Sequence, residues 1–154
     1  DRTLLRERVH AGLKALLGNP RVDPRRVAAI GYCFGGTTVL ELARSGADVA
    51  GVVSFHGGLD TPRPAEAGKV KARVLVLHGA DDPNVPPAHV SALADEMRRA
   101  GADWQVIMYG GAVHSFTNPD AGSDPSRGSA YDVRADRRSW DHMKLFLAEL
   151  LGGL

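Results

Sequence analysis

Apolar residues along this chain fall into two kinds of stretch, some spaced for one face of a helix and some packed into short unbroken runs. Leu4, Leu5, Val9, Leu13, Leu16 and Leu17 recur at helical spacing, with Arg6, Arg8 and Lys14 turned out. They predict a helix over Thr3–Leu17, which Gly18-Asn19-Pro20 stops. After the turn Val22-Asp23-Pro24, the run Val27–Gly31 reads as a buried strand and Gly36–Arg44 as a helix ending at Ser45-Gly46. Gly51–Phe55 and Arg73–His78 are two further apolar runs, separated by a Pro-rich connection over Leu59–Lys71. Pro86-Pro87 opens a helix to about Ala100, with Val90, Leu93, Ala94 and Met97 on one face and Gly101 as its cap. Trp104–Tyr109 is a fourth strand. A last helix covers about Ala135–Leu151, with Trp140, Met143, Leu147 and Leu150 inward.

Strands that alternate with helices and are apolar on both faces predict an α/β fold: a doubly wound, mostly parallel sheet with helices on both faces and about four strands. Between the last strand and the last helix lies an aperiodic stretch from Gly110 to about Val133. A loop of that length inside a domain is usually functional or disordered. The sequence has no internal repeats and no low-complexity tract.

Composition narrows the function classes. The 154 residues are 44% hydrophobic and 24% charged, ordinary for a globular domain. A net charge of +1 gives no electrostatic case for a nucleic acid or membrane partner. No apolar run reaches the length needed to span a bilayer. The single cysteine excludes an internal disulfide and is too few for a thiolate metal site. It is compatible with a reducing compartment, so the cytoplasm is the expected location. The chain starts at Asp1 rather than methionine, so it is expected to be processed, truncated or part of something longer.

That cysteine stands in Gly31-Tyr32-Cys33-Phe34-Gly35, a Gly-x-Cys-x-Gly pattern between a strand and a helix. The arrangement suits a nucleophile elbow with a thiol in place of a hydroxyl. Gly31 and Gly35 are expected to keep side chains out of the turn. The helix that follows would aim its free N–H groups at the sulfur, favouring thiolate and able to hold a developing oxyanion. A lone cysteine after a strand is also commonly a small buried hydrophobe. The catalytic reading therefore depends on partners. In parallel sheets working residues collect at the carboxyl ends of strands. Asp82 follows the third strand and His114 the fourth, giving the order nucleophile, acid, base. Histidine near neutrality can take the thiol proton and return it, and a carboxylate on its far nitrogen fixes the tautomer.

Each partner has a second reading. Asp81 and Asp82 also suit the cap of the helix near Pro87, and His114 suits a solvated loop. His56 and His78, also at strand ends, are read as structural because neither lies in the long loop. His10, His89 and His142 fall on predicted helices and are read as surface groups. No two histidines stand at i, i+4 with a carboxylate nearby, so no metal site and no cofactor are expected.

Three stretches together resemble the dienelactone hydrolase family, a cysteine-nucleophile branch of the α/β-hydrolases. They are Gly31-Tyr32-Cys33-Phe34-Gly35-Gly36, Leu77-His78-Gly79-Ala80-Asp81-Asp82-Pro83-Asn84-Val85-Pro86 and Tyr109-Gly110-Gly111-Ala112-Val113-His114-Ser115-Phe116. The tail from Ala130-Tyr131-Asp132 to Arg137-Arg138-Ser139-Trp140 also resembles the family's last helix. The resemblance implies one α/β-hydrolase domain over residues 1–154, the C-terminal portion of the family fold without its N-terminal strands. It implies Cys33 as nucleophile, His114 as base and Asp82, before a Val-Pro pair, as the acid. It implies the Phe34 N–H as one oxyanion donor, with a second donor from the upstream part. Phe34, Phe116 and Tyr32 are expected to line an apolar pocket. Where the family's lactone hydrolases place an arginine for the substrate carboxylate, this chain has Asn118, which points away from dienelactone itself.

The expected function is therefore hydrolysis of a small carboxylic ester or lactone through a Cys-His-Asp triad and a thioester. The alternative is a catalytically silent or truncated α/β-hydrolase module acting in association, with a thiol redox sensor as a weaker third reading. Without upstream neighbours, the apolar Val27–Gly31 strand becomes a sheet edge. It is expected to be covered by a missing segment, by a second copy, making a homo-oligomer, or by a swapped element.

Overall fold

The computed structural model describes residues 1–152; the last two positions of the expected 1–154 domain lie outside the described residues. The elements are α1 (Arg2–Leu17), β1 (Ala28–Tyr32), α2 (Phe34–Arg44), β2 (Gly51–Phe55), β3 (Arg73–Gly79), α3 (Pro87–Ala100), β4 (Trp104–Tyr109) and α4 (Val133–Leu151). All four strands are parallel and lie in sequence order, β1-β2-β3-β4.

That order fixes the layers. Parallel crossovers are right-handed, so strands that advance steadily across a sheet put their crossover helices on one face. Val39 and Leu40 of α2 and Leu93 and Met97 of α3 pack with Val52, Val74 and Val76. The alternate strand positions, Val53, Phe55, Leu75 and Leu77, face the other way onto Met143 and Phe146 of α4. The central strands β2 and β3 are buried on both faces, which explains why they read as unbroken apolar runs.

α1 lies outside this sandwich and departs from its sequence reading. None of its residues is fully buried, and Leu4, Leu16 and Leu17 are exposed. Arg6, expected to face solvent, instead donates to Glu41 Oε2 at 2.8 Å. Its host helix α2 presents a polar face there because Glu41 and Arg44 are both buried. Arg44 bonds Glu41 at 3.0 Å, Glu96 at 2.9 Å and the Leu59 carbonyl at 2.7 Å. One charged knot thus ties α1, α2, α3 and the Leu59–Lys71 connection together, with every charge paired. Trp140, expected inward on α4, is 51% exposed, because Ser139 and Met143 occupy the face that meets the sheet.

β1 is a sheet edge, and its Ile30 and Tyr32 are 44% and 42% exposed.

Candidate active site

The strand register brings the first two site residues together. Tyr32 pairs with Phe55, so the next residues, Cys33 and His56, stand side by side at the carboxyl end of the sheet. The ladder continues through them: the Cys33 N–H donates to the Phe55 carbonyl at 3.0 Å and the His56 N–H to the Leu77 carbonyl at 2.9 Å. Cys33 turns the chain into α2 with φ of 50°. Gly31 permits that turn, since a Cβ there would overlap the Gly35 carbonyl. The second steric requirement falls on Gly36, where a Cβ would come within 2.6 Å of Ser54 Oγ. At Gly35, expected to share this role, an added Cβ meets nothing within 4 Å. The Phe34 N–H is the first of α2 and has no intrahelical acceptor, so the helix opens with a free donor beside the sulfur.

Asp82 and His114 arrive from the other two strand ends. Asp82 sits in a turn closed by its own N–H on the Gly79 carbonyl at 3.1 Å. His114 is held in the long loop, which is ordered rather than loose. The loop pairs with itself through His114 N–H to the Gly128 carbonyl (3.3 Å) and Ala130 N–H to the His114 carbonyl (3.1 Å). Asn118 and Asp124 cap two short 3-10 turns within it. His114 Nδ1 lies 2.8 Å from Asp82 Oδ2. Asp81 points elsewhere and accepts the Gly111 N–H at 3.0 Å.

Electrostatics fix the protons. Burial would raise the Asp82 carboxyl, but the His114 hydrogen bond, the Asn84 N–H and the charges of His114 and His78 outweigh it and lower its pKa. Ionised Asp82 must accept from Nδ1–H of His114, leaving Nε2 with its lone pair free. At His56 the tautomer is reversed. The Cys33 N–H also donates to His56 Nδ1 at 3.2 Å, so that nitrogen is bare, and Nε2–H donates to Thr117 Oγ1 at 2.8 Å. Burial, aided by the neighbouring His114, pushes the His56 pKa down to about 4. His56 is therefore neutral and presents a lone pair to Cys33 Sγ, 3.4 Å away.

Sequence reasoning missed this histidine, reading it as structural; its involvement follows from register across two strands, which no local spacing reveals. Two more neighbours come from the stretch around His114. Ser115 Oγ is 3.5 Å from the sulfur, and Thr117 orients His56. Cys33, His56 and Ser115 are the only non-glycine residues at positive φ among those described, and they surround one sulfur. Strain concentrated in this way marks a site whose geometry is held by the surrounding fold. His78, read as structural, is buried, and burial lowers its pKa. His10 and His142, read as surface groups, are half-buried and bonded to Ser45 Oγ (2.7 Å) and Tyr109 OH (2.8 Å). His89 is half-buried as well.

The three aromatic residues expected around a pocket separate. Phe116 is fully buried and packs edge-on beneath His56, at 5.0 Å between centroids, because the loop plugs the sheet end with it. It supports the site from below rather than lining it. Phe34 is 69% exposed and faces a groove of about 480 Å³ shared with Leu4, Leu5 and Val9 of α1. Tyr32 stacks on Phe55 at 4.4 Å. Asn118 uses its side chain to cap a turn.

A cysteine on a positive-φ turn, an aspartate-backed histidine and a four-stranded parallel sheet agree with a sequence comparison. The profile of the dienelactone hydrolase family matches residues 2–151. The chain belongs to the dienelactone hydrolase family. An uncharacterized Caenorhabditis elegans protein is 37% identical over 150 residues, covering 94% of this chain and 93% of that protein. A dienelactone hydrolase-like promiscuous phosphotriesterase from metagenomic libraries superimposes with a TM-score of 0.88 at 50% identity, covering 97% of this chain and 63% of that one. A Saccharolobus solfataricus protein named as a carboxymethylenebutenolidase is 29% identical over 124 residues, covering 80% of this chain. This family member spans 44% of that protein's length.

Proposed function

We propose that the protein hydrolyses small carboxylic esters or lactones through a thioester on Cys33, with His114 as general base and Asp82 as the group that orients it. One observation carries the reading: the lone sulfur sits on a positive-φ turn at a helix N-terminus, across from an imidazole backed by an ionised carboxylate. Two histidines compete for the role of base. His56 hydrogen-bonds the sulfur, but with a pKa near 4 it is a poor acceptor for a thiol proton. Protonating His114 places the new charge against Asp82, which stabilises it. His56 thus orients the thiol, and His114 takes its proton.

The thiolate then attacks the carbonyl carbon, and the oxyanion meets the free Phe34 N–H. His114 returns its proton to the leaving alkoxide, leaving an acyl-thioester. Water, deprotonated by His114, cleaves the thioester and restores the thiol. The same nucleophile suits phosphotriesters as a secondary substrate class; support for this is the 50% identity to a phosphotriesterase of the same family. Pairing of two copies along β1, where Ile30 is exposed, belongs to the proposal as well.

The test is hydrolysis of p-nitrophenyl acetate by this chain beside Cys33→Ala and His114→Ala. Turnover abolished by both changes is the expected result. Equal rates in all three proteins would leave a family member acting in association rather than catalysis.

A further inference from the structure

We propose that Cys33, His56 and His114 form a binding site for a thiophilic divalent cation of the Zn²⁺ type, and that the bound ion blocks the thiol. One donor atom from each residue lies within 4.8 Å of the other two. The residues come from the ends of β1 and β2 and from the loop after β4, so no sequence spacing announces the set. An ion with tetrahedral bonds of roughly 2.3 Å to sulfur and 2.0–2.1 Å to nitrogen needs its donors about 3.3–3.6 Å apart. The cysteine–His56 pair is already at 3.4 Å. Completing the set needs His114 to approach the other two donors by up to about 1.5 Å.

The surroundings are arranged as metal sites require. A ligating histidine usually donates its other N–H to a carboxylate or another oxygen, which fixes the ring with its lone pair toward the ion. Both rings here already do so. His114 donates from Nδ1 to Asp82, and His56 donates from Nε2 to Thr117. Each bare nitrogen is left to the sulfur's side. Taking the His56 lone pair does not orphan the Cys33 N–H, which keeps its 3.0 Å bond to the Phe55 carbonyl. One thiolate and two imidazoles with no carboxylate in the set select zinc-like ions over Mg²⁺ or Ca²⁺. Three protein ligands leave the fourth position to water. Binding replaces the Cys33 S–H bond with a sulfur–metal bond and releases that proton to solvent.

The site stands on this geometry alone. Only its effect on turnover rests on the proposed hydrolase reading, because the ion occupies both the nucleophile and the lone pair of the base.

The experiment is titration of the metal-free protein with Co²⁺, followed by absorption, then displacement with Zn²⁺, with ester hydrolysis measured in parallel. The expected result is one equivalent of tetrahedral cobalt with a thiolate charge-transfer band, reversed by Zn²⁺ and absent with Mg²⁺. The band disappears in Cys33→Ser. Zn²⁺ affinity falls about 10–100-fold in Thr117→Val, which unseats the His56 ring, and at least tenfold in His56→Ala. Hydrolysis falls with the same Zn²⁺ midpoint. Octahedral cobalt without a thiolate band in the unmodified protein overturns the site, as does undiminished affinity in Thr117→Val. A tetrahedral cobalt–thiolate spectrum in a protein without esterase activity would retain the metal site and remove the hydrolase. An active esterase indifferent to Zn²⁺ would do the reverse.

Discussion

His56 Nδ1 lies 3.4 Å from Cys33 Sγ, so the histidine bonded to the resting thiol is not the one backed by a carboxylate. The two imidazoles have opposite tautomers, and burial pushes the His56 pKa down to about 4. In the proposed reaction, that separation lets one hold the thiol and the other take its proton.

The division predicts different kinetic signatures. His114→Ala should lower kcat/KM by about 10²–10⁴. His56→Gln should lower it by about tenfold yet leave the acid limb of the pH–rate profile in place, because His56 does not titrate in the working range. Steady-state kinetics from pH 5 to 9 would decide it. A shifted acid limb in His56→Gln would place the proton transfer on His56 rather than His114.

Asp82→Asn keeps the side-chain shape but loses the charge, and its amide can donate to Nδ1 and favour the other imidazole tautomer. A fall in kcat of about 10²–10⁴ is expected, with thermal stability changed far less. Asp81→Asn should be nearly silent in kcat, since the Asp81 carboxylate accepts from the Gly111 N–H and not from His114 among the described residues. Equal losses in the two variants would remove the specific role of Asp82.

Stability should fall on mild acidification. The folded pKa of His56 is about 4, below its ordinary 6.5, so the unfolded chain binds the extra proton as pH drops through that interval. Native stability is complete above about 6.5 and declines toward 4, by up to about 3 kcal/mol from this residue. Asp82, also depressed, adds a loss in the same direction below the ordinary carboxylate range. Urea midpoints at pH 7.5 and 5 measure this, and His56→Gln should flatten the dependence above pH 5. An unchanged slope in that variant would contradict the buried neutral assignment.

The turn at Cys33 discriminates between its glycines. Gly31→Ala drives a methyl into the Gly35 carbonyl and should cost several kcal/mol or prevent folding. Gly35→Ala has open space in a helix and should be neutral or stabilising by up to about 1 kcal/mol. Thermal melts of both variants suffice, and equal destabilisation would refute the turn geometry.

The open edge of β1 predicts self-association. Light scattering across concentration should show dimers, weakened by Ile30→Lys, which places a charge on the exposed strand. A monomer at high concentration would contradict pairing along this edge.

Much of this molecule was legible before its structure. The apolar runs gave β2 and β4 residue for residue, because strands buried on at least one face carry a local signal. Cys33, Asp82 and His114 read as site candidates in the sequence because each ends or follows a strand. What escaped depends on three dimensions. The place of His56 follows from the pairing of Tyr32 with Phe55. The burial of Phe116 follows from how the loop folds over the sheet end. Arg6 reads as an outward charge until the buried Glu41 of another helix claims it. A metal-ligand set drawn from three distant positions is likewise invisible to any search for local spacing.

In the proposed reaction Cys33 carries the acyl group and His114 drives its release. The most direct measurement is intact-protein and peptide mass spectrometry after rapid acid quench of the protein with p-nitrophenyl acetate, beside His114→Ala. One acetyl group on Cys33, transient in the parent and, where it forms, persistent in His114→Ala, is the predicted result. Ester turnover with no acyl group on Cys33, undiminished by Cys33→Ala, would contradict it.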